Sequence, residues 1–172
     1  MRWLICLLLY SSIATAAPNL LSVLTQTPFQ NPIDTMRNIE NSTSGVITHF
    51  AIDTNNSPMR YLFTVLDPKK HTVTQLEYCA VDGVLIKRKA TTYDSDKHSE
   101  LAAINFISKN KLLFSELVEL AIHKNSVHLL NAELDHDLGI SYLELKLIDN
   151  NGRYRLAFDV EKLRPLPLLK WY

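Results

Sequence analysis

Glycine is scarce in this chain, four residues in 172, and that shortage removes whole classes of chemistry. No Gly-x-Ser-x-Gly elbow is present to lift a nucleophile above a sheet, and no glycine-rich loop to cradle a phosphate. Cysteine is nearly absent too, with only Cys6 and Cys79, so no framework of disulfides can substitute for a hydrophobic core. Charge of one sign is missing: 18 basic residues balance 18 acidic ones, and no overall field draws the chain to nucleic acid or to an anionic membrane. No apolar run reaches the roughly 20 residues needed to span a bilayer as a helix. What remains is an ordinary globular composition, 47% hydrophobic and 21% charged, which argues against disorder and leaves room for one domain or two small ones.

The first residues form a targeting segment. Arg2 supplies the positive end, Trp3 to Tyr10 is apolar, and Ala14-Thr15-Ala16 offers the small residues that a signal peptidase requires. Cleavage is expected after Ala16, giving a periplasmic or secreted protein. Cys6 lies within the apolar run, too early for a lipid-attachment cysteine. Loss of the leader leaves 17 basic against 18 acidic residues and a single thiol, Cys79, in the strand-like run QLEYCAV, where it reads as an inert core residue.

After an N-terminal arm (residues 17–30), helix signals begin at Asn31, a capping residue, with Pro32 at the first helical position and Asp34 in the first turn. Ile33, Met36 and Ile39 share one stripe. Strands are expected over Val46–Asp53, Met59–Leu66 and Thr72–Val81, separated by the Thr54–Pro58 and Asp67–Lys70 turns. Lys87–Asp96 reads as a polar linker. Two helices follow, one with Leu101, Ile104 and Ile107 inward, the other with Leu117, Leu120 and Ala121 inward. A second series of strands covers Val127–Leu134, Ser141–Ile148 and Arg153–Val160. In it Leu143, Leu145 and Leu147 alternate with Tyr142, Glu144 and Lys146, the mark of a sheet with one wet face.

Sliding the chain on itself by about 82 residues lays Asp53 on Asp135, Phe63 on Leu145, Asp67 on Asp149 and Leu76 on Phe158, which predicts an internal duplication. The second unit, Ser115–Val160, resembles the PepSY family of exported modules. The likeness lies in a helix ending near His123, a strand to Glu133, then Tyr142-Leu143-Glu144-Leu145-Lys146, the Asp149–Gly152 turn, and a strand closing at Phe158-Asp159-Val160. The fold that the resemblance implies is α+β, two PepSY-like repeats, each an antiparallel three-stranded sheet covered by helix. The expected boundaries are 31–92 for the degenerate repeat, 93–111 for a linker helix, and 112–172 for the clearer repeat with its apolar tail. The role implied is protein binding, with inhibition or regulation of a peptidase, and no catalytic residue is carried over.

Other chemistry finds little support. His123, His128 and His136 lack the short spacing of a zinc site, and His49 and His71 fall on different strands. Cys79 with His49 and Asp53 or Glu77 is the one constellation that could serve a hydrolase, and it has no sequence signature. The expectation is therefore a non-enzymatic protein with no catalytic residues, no metal and no cofactor. Its contact face is placed on Tyr142, Glu144, Lys146, Arg153 and Arg155, with the acidic and basic side chains expected to stand opposite one another across two strands. The second reading is a small-molecule or envelope-component binding protein with its cavity between helix and sheet. The tail, Arg164–Tyr172, is expected to fold back over the core.

Overall fold

The computed structural model describes residues 19–93, 100–122 and 126–167. The leader with its cleavage site, His98, His123, Asn125 and the Leu168–Tyr172 end of the tail lie outside them. Along the chain come α1 (Leu20–Gln26), α2 (Pro32–Ser42), β1 (Val46–Asp53), β2 (Arg60–Asp67), β3 (Thr72–Cys79) and β4 (Leu85–Thr92). Then follow α3 (Leu101–Asn110), α4 (Phe114–Ile122), β5 (His128–Asp137), β6 (Ile140–Asp149), β7 (Gly152–Asp159) and β8 (Arg164–Leu166).

All eight strands form one antiparallel sheet in the order β4-β3-β2-β1-β5-β6-β7-β8. This corrects the expected layout of two three-stranded sheets, each a PepSY-like repeat under its own helix. The fusion is made by β1 and β5, which pair through His49↔Glu133, Phe50↔Ala132 and Ala51↔Asn131. Left apart, each would expose an unpaired edge beside an apolar face, a template for aggregation; joined, they bury both under one core. The sheet also gains strands. Lys87–Thr92, expected as linker, belongs to β4, whose eight residues are all exposed. Lys87, Arg88 and Lys89 suit an edge strand, where charge discourages further pairing. Arg164–Leu166 adds the short β8 at the opposite edge.

Helices α2, α3 and α4 lie on one face. In α2, the Asn31 side chain accepts a hydrogen bond from the Ile33 amide at 2.9 Å, Pro32 starts the helix and Asp34 occupies its first turn, as the sequence predicts. Ile33, Met36 and Ile39 are buried. Ala103, Ile104 and Ile107 of α3 and Leu117, Val118 and Ala121 of α4 join them against Phe50, Phe63, Ala132, Leu143 and Leu145 in a single core. Leu120 is half exposed rather than inward, and Val118 takes its place. The reason is that α4 packs beside α2 as well as on the sheet, with Arg37 of α2 bonded to Glu119 at 2.6 Å. Glu40 of α2 also reaches the start of α4, accepting from the Ser115 amide (3.2 Å) and hydroxyl (2.5 Å). The Ser115 amide is one of those that a helix N-terminus leaves without an internal partner.

The pairing of β1 with β2 recurs in β5 with β6, 82 residues on: Val46↔Leu66 matches His128↔Ile148, and Asp53↔Arg60 matches Asp135↔Tyr142. Both pairs carry a register shift at the same place, around Thr48 in β1 and Leu130 in β5. The offset then changes. Asp67↔Thr72 closes the first hairpin and Asp149↔Gly152 the second, so two residues are missing from the second turn. Leu76 therefore corresponds to Leu156, opposite Leu145 as Leu76 is opposite Phe63, and not to Phe158.

Candidate functional site

The face of the sheet away from α2, α3 and α4 carries the side chains that alternate with the core. Across its middle run Gln75, Thr64, His49, Glu133, Glu144 and Ala157, each opposite the next on neighbouring strands. The adjacent row runs Lys87, Glu77, Leu62, Ala51, Asn131, Lys146 and Arg155. None of these residues is buried. Glu77 ties the first half together, bonded to Arg60 and to Lys87 at 3.0 Å each, and these contacts, that to Lys87 foremost, lower its pKa.

The five residues predicted for contact all sit in the second half of the sheet, and Glu144, Lys146 and Arg155 belong to these two rows. Their pairing differs from expectation. Lys146 stands opposite Arg155, Glu144 opposite Ala157, and Arg153 opposite Ile148. Glu144 meets Arg155 only on the diagonal, at 3.4 Å. The cause is the short Asn150–Asn151 turn, in which Gly152 alone takes a positive φ of 117°; it sets the register and so decides which charges face. Tyr142 is fixed by a hydrogen bond from its hydroxyl to Asp135 at 3.1 Å. Burial, that bond and the surrounding carboxylates push its pKa up to about 12, so it remains a neutral phenol.

Past the Ala51–Asn131 pair the two central strands part. The splay opens a cleft of ≈ 480 Å³ lined by Ala51, Ile52 and Thr54 of β1, Leu130 and Asn131 of β5, Lys146 and Leu147 of β6, Arg153, Tyr154 and Arg155 of β7, and Leu20 of α1. Three of the five predicted residues line it. Its other contributors were not legible in the sequence, because the β1–β5 contact that creates the splay has no local signal. A second cleft of ≈ 360 Å³ lies between the α1–α2 connection and the sheet, among Leu24, Phe29, Ile33, Tyr61, Ile122 and Leu129. This is the helix-to-sheet position named by the small-molecule reading.

At the junction itself the His49 Nε2 and Asn131 Nδ2 atoms are 2.9 Å apart. Burial lowers the His49 pKa, nearby Lys146 lowers it further, and Glu133 opposes them. The hydrolase constellation is not assembled. Cys79 is buried at the end of β3 opposite Arg60, whereas His49 is opposite Thr64, four positions along β2 and about 13 Å away by strand rise alone. Two further histidines stand apart from it: the His71 ring stacks on Tyr93 at 5.8 Å, and His136 Nδ1 is 3.0 Å from the Ser141 hydroxyl. Among the described residues no group of three or more His, Cys, Asp or Glu side chains converges as a metal site. Among them, too, no helix is long and apolar enough to cross a membrane.

The sequence matches no protein-family profile and no curated protein. Among solved structures the chain is similar to a candidate lipoprotein from Clostridium difficile 630, at 15% identity and a TM-score of 0.46, over 84% of this chain and 95% of that one.

Proposed function

We propose that the chain is an exported, non-enzymatic module that binds a protein partner through the open face of its sheet, centred on Tyr142, Glu144, Lys146, Arg153 and Arg155. The observation that carries this reading is the face of an eight-stranded sheet that α2, α3 and α4 leave uncovered: it presents Tyr142 and Lys146 on β6, which is paired on both sides, and Arg153 and Arg155 on β7, which is paired to it. Tyrosine and arginine anchor interfaces because each covers a large area for few rotatable bonds. A rigid strand face adds little ordering cost to association. Export rests on the N-terminal leader pattern, and a peptidase is the partner class suggested by the PepSY resemblance.

The test is capture from an extract of the native cell envelope by immobilised protein. A partner should be retained by the natural protein and by Glu119→Ala, altered on the helix side, and lost with Tyr142→Ala/Arg155→Glu. If that partner is a peptidase, its rate on a peptide substrate should fall when the purified protein is added. Retention of no protein, or equal retention by the face variant, sinks the proposal.

A further inference from the structure

We infer that the cleft where β1 and β5 part is a binding site for a small amphiphilic anion, a carboxylate or phosphate monoester on an apolar body. Every charged side chain lining it is a cation: Lys146, Arg153 and Arg155. Their arrangement works against the fold. Like charges directly opposite on paired strands are destabilising, yet Lys146 is opposite Arg155, and Arg153 lies two residues from Arg155 on the same side of β7. Glu144 offsets only part of this, at 3.4 Å from Arg155. Among the described residues Lys146 and Arg153 form no ion pair.

The matching strands of the first half show that the sheet does not need this charge. In the registers established above, Thr64 stands where Lys146 does, Gln75 where Arg155 does and Val73 where Arg153 does. The same backbone is thus built with neutral residues in one half and three cations in the other. An anion seated between them converts the repulsion into charge-assisted hydrogen bonds. Leu20, Ala51, Ile52, Leu130, Leu147 and Tyr154 line the same cleft and offer contact to the apolar body of such a ligand. The volume, ≈ 480 Å³, falls in the range of small-molecule sites.

The site shares Lys146, Arg153 and Arg155 with the protein-contact face but does not rest on that reading, and its test reads the cleft alone. The purified chain, labelled with nitrogen-15, is titrated below their micelle concentrations with decanoate and decyl phosphate, and in parallel with decanol and acetate. Decanoate, decyl phosphate or both should shift the amide signals of Ala51, Leu130, Asn131, Lys146 and Arg155 saturably, and whichever binds more tightly identifies the anion. Lys146→Gln/Arg153→Gln, which leaves the Glu144–Arg155 contact in place, should weaken that binding at least tenfold while keeping or raising the melting temperature. Arg153→Gln alone, at an exposed position, replaces the double variant if the latter fails to fold, and should weaken binding at least threefold. The inference is overturned if neither amphiphile shifts these signals, if decanol or acetate does so with equal affinity, or if the glutamine variant binds unchanged.

Discussion

Two residues hold the first strand series and the helices to their places by backbone chemistry rather than by bulk. Gly45 enters β1 with a φ of 106°, and a Cβ there would stand 2.7 Å from the Leu66 carbonyl oxygen. Both the conformation and the contact demand glycine, because the obstacle is backbone and cannot swing away. Gly45→Ala should cost at least about 2 kcal/mol in urea unfolding with an unchanged slope against denaturant; a loss below 0.5 kcal/mol, within the ordinary surface range, contradicts it. Glu40 acts at the start of α4. Burial raises its pKa and outweighs the Ser115 and Phe114 hydrogen bonds, which lower it, while the Glu116 charge raises it further. A carboxyl whose folded pKa lies above its unfolded 4.5 contributes most stability below that value and loses it as pH rises through the folded pKa. Glu40→Ala should therefore cost about 1–2 kcal/mol at pH 4, where the capping contacts are intact and the burial penalty absent, and less at pH 7. A penalty that grows with pH over this interval would show the opposite sign of shift.

At the scale of elements, the sequence specifies strands and helices well and their neighbours poorly. The Asn31-Pro32-Asp34 start of α2 and the Leu143, Leu145, Leu147 alternation of β6 are local signals, and the structure reproduces both. Register is a different quantity. Whether Lys146 faces Arg155 or an acid depends on the two-residue turn after Asp149, and an alternating pattern is satisfied by any even slip. β4 was illegible because an edge strand exposed along its whole length need bury nothing, so its polarity resembles a linker's. The β1–β5 join was illegible for a third reason: its three residue pairs bring together strands 82 positions apart, and nothing near Phe50 specifies Ala132. That join supplies a pH dependence. Burial holds the His49 pKa below its usual 6.5, so the folded protein binds the imidazole proton less well than the unfolded chain. Stability from this group is full above 6.5 and is lost as pH falls through the interval down to the depressed value. Chemical denaturation between pH 7.5 and 5 should show a decline that His49→Gln reduces, with Glu133 and Lys146, the charged groups facing the ring, left in place. An identical decline in the variant would assign it to other groups.

For the whole molecule, the pairing at the centre is symmetric about Phe50↔Ala132, since the flanking pairs, His49↔Glu133 and Ala51↔Asn131, exchange under the 82-residue correspondence. Positions this close to the centre cannot both be large. Phe50 takes the space and Ala132, fully buried, yields it, and this explains in part why the halves share register with few identities. The asymmetry extends outward: Phe50 packs on Tyr61 at 5.6 Å and on Phe63 at 5.2 Å, while the corresponding positions of the second half hold Leu143 and Leu145. The core is thus one body shared by α2, α3, α4 and both strand series, with Phe50 at its middle. Phe50→Ala should cost about 3–5 kcal/mol, the range for emptying a buried aromatic site. Its effect should be global. Hydrogen exchange should accelerate in β6 as much as in β2, because opening the centre removes the floor under both. If the loss of protection stops at β1 and leaves β5 and β6 at their original rates, the two strand series unfold separately and the shared core does not govern stability.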